Sequence, residues 1–131
     1  MKVALGIGCD RGTPAATIAQ AVVAALAQVG ATADEIDRIA SIDLKADEAG
    51  LLEFAAARQQ RIVFYPAAEL AQVAVPNPSE TVRKYTGTPS VSEAAALLVA
   101  HADMSALLVE KFKLRGPDGR NATISIARIM K

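Results

Sequence analysis

The chain has 131 residues, over half of them hydrophobic, and its 14 basic side chains are balanced by 14 acidic ones. That size predicts one domain over residues 1–131 with a buried core. The neutral balance, few aromatics and no tryptophan argue against nucleic-acid binding, which draws on a basic stripe or a base-stacking platform.

Val3, Leu5, Ile7 and Cys9 alternate with small residues, the period of a buried strand. Thr13 then offers an N-cap oxygen and Pro14 a first helical position, and the apolar spacing of Ile18, Val22, Ala25, Leu26 and Val29 predicts a helix stopped by Gly30. After the acidic stretch TADEIDRIA, Ile39 and Ile42 predict a second strand ending near Asp43 or Leu44. Asp47 is the expected cap of a helix EAGLLEFAAARQ. RIVFY, residues 61–65, reads as a third strand, and AAELAQV as a short helix. A proline-punctuated loop leads into two helices, capped by Ser79 and by Ser90 or Ser92, with Glu93 in an early turn where the helix dipole favours it. SALLVEKFKL and ATISIARI flank a PDG turn and predict an antiparallel hairpin. The expected fold is a three-layer α/β/α domain with a mixed sheet, parallel βα units first and the hairpin last. The single cysteine excludes an internal disulfide and fits a reducing, cytoplasmic setting. The N-terminal apolar run is too short for a signal peptide, and no stretch reaches membrane-spanning length.

The turn GIGCDRGTP, residues 6–14, has the density of glycine that cradles phosphates, yet it matches neither common motif. Arg11 stands where the dinucleotide fingerprint needs its third glycine, and no Lys-Ser or Lys-Thr pair follows Gly12. The underlying physics survives: a glycine-rich turn opening a helix presents backbone N–H groups and a positive dipole end, and Arg11 adds a planar donor fork. An anionic guest is the functional reading, and a plain tight turn with a solvated Arg11 the structural one. Cys9 shares the strand face of Ile7 and reads as a core thiol. His101 stands near a helix end, suited to capping, and is remote in sequence from Cys9 as a base. No Cys/His cluster suggests a metal, and no cofactor is implied.

Three further polar clusters fall where strands or loops give way to helices: Ser41, Asp43, Lys45, Asp47 and Glu48; Asn77, Ser79 and Glu80; and Thr88, Ser90 and Glu93. In an open α/β sheet, ligands bind outside the carboxyl ends of the strands, so GIGCDRGT and SIDLKADE are expected to line one cleft. The bland alternatives are helix capping for the serines and a charge pair with Lys45 for Asp43 and Glu48.

Taken together, GIGCDRGT, ASIDLKADEAGLLEFA, VPNPSETVRKYTGTPSVSEAAALL and ATISIAR resemble the cobalamin-biosynthesis CobE and CbiG C-terminal domain family, the start and length being closer to the stand-alone CobE form. That resemblance implies a role in corrin-ring synthesis and, as partner, a precorrin or corrin intermediate fringed with carboxylates. Other pathway enzymes are further expected partners. The matching positions that would hold such a ring are Gly8, Cys9, Arg11, Gly12 and Thr13 in the first turn and Ser41, Asp43 and Lys45 in the second. Asn77, Ser79, Thr88 and Ser90 add polar groups, and Lys111 is expected to reach in from the hairpin. Two alternatives stay open. One is hydrolytic opening of a ring A δ-lactone of a precorrin-5 intermediate, with Asp43 or Glu48 as base and the first turn's amides holding the oxyanion. The other is a non-catalytic scaffold for pathway enzymes.

Overall fold

A computed structural model describes residues 1–76, 78 and 90–129. Five strands form one mixed sheet in the order β3-β2-β1-β5-β4: β1 Val3–Cys9, β2 Ile36–Ile42, β3 Ile62–Tyr65, β4 Leu107–Arg115 and β5 Asn121–Arg128. β1 pairs parallel with β2, and β2 with β3; β5 runs antiparallel to both β1 and β4. The α/β/α expectation, with parallel units first and an antiparallel hairpin last, matches this architecture.

Residue alternation along β1 decides what covers each face. Val3, Leu5 and Ile7 meet α1 (Ala15–Gln28) and α2 (Ala49–Ala57), joining Ile18, Val22, Leu26, Leu51, Phe54, Ile124 and Ile126 in a core of bulky side chains. The opposite face offers Ala4, Ala40 and Ala127, and it is covered by α3 (Ala67–Leu70) and α4 (Val91–Ala100) through Ala94, Ala95, Ala96 and Leu97. At Gly6 the second contact becomes backbone against backbone. A β-carbon there would fall 1.8 Å from the Ser92 carbonyl oxygen and 2.6 Å from the Ala96 amide nitrogen, so only glycine admits α4 this closely.

Several local boundaries differ from those read in the sequence. Pro14, not Thr13, takes the N-cap position of α1, because the Thr13 hydroxyl donates instead to the carbonyls of Asp10 and Asn121. α1 ends at Gln28, two residues short of Gly30. β2 begins at Ile36, inside the segment read as an acidic connection, since Ile36 lies in the α1/α2 core and Val3 pairs with it. α2 starts after Glu48, so Asp47 is no cap; its carboxylate turns to Arg11. Ser90, rather than Ser92, holds the N-cap position of α4, without a side-chain cap bond. Of the two helices expected after the proline loop, one is α4; the segment of the other, with its Ser79 cap, lies outside the described residues. His101 ends α4 in the left-handed region at φ 55°, in keeping with a cap.

Candidate functional site at the carboxyl edge of the sheet

β1 and β2 are adjacent and parallel, so the turns that follow them emerge side by side. The hairpin turn between β4 and β5 ends at the same edge, because Cys9 pairs with Ala122 and Arg115 with Asn121. α4 also begins here: Val91 lies against Gly8, and Ser92 and Ala96 over Gly6. Three segments and one helix N-terminus thus converge above the end of β1, the place where an open α/β sheet exposes a ligand crevice.

The first two turns are tied directly to each other. Arg11 donates through one guanidinium nitrogen to Asp47 at 2.9 Å and to Glu48 at 2.7 Å, and through the other to the Leu44 carbonyl at 3.2 Å. The second oxygen of Glu48 accepts from the Gly12 amide at 3.0 Å. Glu48 is 4 % exposed, whereas the Arg11 side chain is 63 % exposed. The guanidinium beside it holds the Asp47 carboxyl below its usual range. α2 approaches closely enough for this because Gly50 has no β-carbon; one placed there would sit 2.0 Å from the Thr13 carbonyl oxygen. The carboxylate that the first turn's amide and arginine hold is therefore the protein's own, and neither oxygen of Glu48 is left without a partner.

The hairpin turn is docked from the other side. Asp10 and Asn121 exchange backbone and side-chain hydrogen bonds at 2.8–3.1 Å. Arg120 donates to the Arg11 carbonyl at 2.9 Å and pairs with Asp118 at 3.0 Å. This clamp, made across more than a hundred residues of sequence, has no signature in the local pattern. An asparagine opening a strand next to a PDG turn was its only visible trace.

The remaining predicted residues divide by position. Thr13 and Ser41 are buried and bonded inward, the Ser41 hydroxyl donating to the Ile7 carbonyl at 2.6 Å. Cys9 is half-buried, and burial pushes its thiol up to about 11, with Lys45 pulling the other way and Glu48 and Asp10 adding to the rise. Asp43 is exposed and opens the short helical turn after β2. Lys45 closes that turn, half-buried, and among the described residues it makes no ion pair. The Ser90 hydroxyl is buried at the head of α4 with no hydrogen-bond partner among the described residues. Lys111 is exposed on β4 at mid-strand, away from this edge. Asn77, Ser79 and Thr88 lie outside the described residues.

The family model for the C-terminus of cobalamin synthesis G matches residues 3–127. The chain belongs to the CobE/CbiG C-terminal family and has a role in cobalamin biosynthesis. It is 39% identical over 127 residues, 97% of its length, to a cobalt-precorrin-5A hydrolase of Priestia megaterium, and spans 32% of that protein. Against a protein CobE of a Sinorhizobium species the identity is 38% over 109 residues, covering 82% of this chain and 70% of the relative. Among solved structures, that of CobE, a protein from the cobalamin biosynthetic pathway, superposes with a TM-score of 0.80 at 34% identity, covering 98% of this chain and 91% of the other. The cobalamin biosynthesis protein chiG of Agrobacterium tumefaciens follows, with a TM-score of 0.67 at 33% identity and 98% and 99% coverage. Among the described residues, no helix is long and apolar enough to cross a membrane.

Proposed function

We propose that this CobE/CbiG-type chain binds a corrinoid intermediate through the carboxylates at the ring's periphery, at the carboxyl edge of the sheet. From β2 to β4 that edge spans three strand spacings, about 14 Å, the scale of a macrocycle. Four cations at this edge, among the described residues, are in different states. Arg11 is held by Asp47 and Glu48, and Arg120 by Asp118, while Lys45 and Arg115 make no ion pair among the described residues.

Lys45 carries the reading. A half-buried ammonium with no carboxylate partner among the described residues, near enough to the neutral Cys9 thiol to act on it, is suited to receive an anion supplied from outside. The buried Ser90 hydroxyl and the positive end of the α4 dipole add to the same field. Absorbance titration of a corrin bearing free acetate and propionate side chains tests this. Wild type shifts the corrin spectrum with an affinity that weakens as salt rises, and Lys45→Ala binds roughly threefold more weakly. An unshifted spectrum with wild type, or equal affinity in the variant, overturns the reading.

The identity with the Priestia hydrolase across nearly the whole of this chain favours a second reading, lactone hydrolysis. Asp43 would take a proton from water, the resulting hydroxide oxygen would bond to the lactone carbonyl carbon, and the ring C–O bond would break as the leaving oxygen gains a proton. Glu48, with both oxygens bonded, would instead position Arg11. Loss of turnover in Asp43→Asn with corrin binding intact supports this reading; turnover equal to wild type sinks it.

A further inference from the structure

Two residues at the head of α4 forgo stability that the fold could hold. Ser90 stands at the N-cap position, yet its hydroxyl makes no cap bond and has no hydrogen-bond partner among the described residues. At 1 % exposure it is also out of reach of bulk water. A buried hydroxyl in that state is rare and costly, and a partner from outside the chain would relieve it. Gly8 is the second residue. Its φ lies outside the left-handed region, and a β-carbon there would meet only Val91 among the described residues, at the ordinary contact distance of 3.9 Å. Gly6, two residues earlier, is demanded by packing; Gly8 is not. Alanine would fit and would restrict the unfolded chain. The glycine instead leaves room over a half-buried strand end, against the residue that follows Ser90, where the pairing of β1 with β2 has already ended at Gly6 and Ala40. Glycine inside a strand is suited to the close approach of a ligand.

We propose that the head of α4 is the subsite for an uncharged carbonyl of the guest, which passes over Gly8 and accepts a hydrogen bond from the Ser90 hydroxyl. This deepens the corrinoid reading and rests on it. The absence of charge follows from Glu93, the third residue of α4, which is fully buried. The N-cap and third helical positions are neighbours, so a guest carboxylate beside Ser90 would face an acidic group in a place with little water. An amide or ester carbonyl brings the acceptor without the charge. Lys45 on the second turn is the complement, receiving a carboxylate from the same ring. The edge thereby tells one peripheral side chain of the ring from another.

Two corrins separate these roles, one with free carboxylate side chains and one with the same side chains as primary amides, each titrated by absorbance against the full chain. Ser90→Ala weakens both about fivefold, the loss of one neutral hydrogen bond, whereas Lys45→Ala weakens only the carboxylate form. Gly8→Val, a good strand former that fills the space, stays folded and abolishes binding of both. Thermal melting gives the second readout. Ser90→Ala and Gly8→Ala melt at or above the wild-type midpoint, because neither loses a bond; a serine that capped the helix would lower it on replacement. A wild type that shifts neither spectrum sinks the corrinoid reading itself. A wild type that binds, with folded Ser90→Ala and Gly8→Val binding as tightly, overturns the subsite alone. A loss in Ser90→Ala confined to the carboxylate form overturns the uncharged guest. A lowered midpoint in Ser90→Ala assigns the serine to the fold and removes it from the subsite.

Discussion

The two helical layers on this sheet are built by opposite rules. On the α1/α2 face, bulky aliphatic side chains interdigitate and keep the helix axes at a distance from the strands. On the α4 face, alanines and Gly6 remove the side chains, and the helix backbone rests on the strand backbone. The first face draws its stability from apolar area and tolerates small errors of volume. The second draws it from close contact of rigid backbones, in which an added atom has nowhere to go. The difference bears on function, since the tight face fixes the head of α4 over Gly8 at the carboxyl edge.

Gly6→Val challenges this contrast most severely. Its branched side chain would have to occupy the space of the Ser92 carbonyl, and we expect loss of the folded state at ordinary temperatures, well beyond the ~1–3 kcal/mol of usual overpacking, read by circular dichroism and thermal melting. Ile124→Ala removes a fully buried side chain from the bulky face. Its expected cost is about 2–4 kcal/mol, with the fold retained, by denaturant titration. Should the two variants prove equally damaging, the contrast between the faces is wrong.

Smaller effects sharpen the picture at the edge. Glu48→Gln keeps an acceptor for the Gly12 amide but removes the charge facing Arg11. The expected result is a lower melting midpoint than wild type, a smaller loss than that of Ile124→Ala, and one that shrinks as salt screens the wild-type pair. The Cys9 thiol is kept neutral by burial, so it should alkylate at neutral pH at roughly a hundredth of the rate of an unfolded thiol. Its contribution to stability has a defined sign. With the folded value raised from 9.0 to about 11, the neutral thiol's contribution is complete below pH 9 and is lost as pH climbs toward 11. A Cys9→Ser variant should lack that alkaline component of the melting curve.

Much of the framework is legible in the chain. Alternation in β1, the β-branched run of β3 and the PDG turn between two alternating segments predict the corresponding elements, because strand period and turn chemistry are local properties. The adjacency of the GIGCDRGT and SIDLKADE turns also follows from the sequence, since consecutive βα units place their turns at one edge. The state of those turns was not legible. Arg11 and Gly12 carry the chemistry of an anion site whether the anion comes from outside or from the protein. Glu48 reaches them only because Gly50 lets α2 settle on the first turn. Lys111 reads as a plausible edge cation until the bounds of β4, Leu107–Arg115, put it at mid-strand.

The residues alone determined the class of fold, its order of parallel units and hairpin, the carboxyl edge as the place for polar chemistry, and the family to which the chain belongs. Each of these depends on interactions between near neighbours in sequence, or on patterns written directly in it. Tertiary structure alone decided which carboxylate the first arginine holds, that Lys45 at the same edge has none among the described residues, and which helix lies close enough to need Gly6. Those outcomes depend on distances between segments far apart in the chain, and packing sets such distances only once both faces of the sheet are covered.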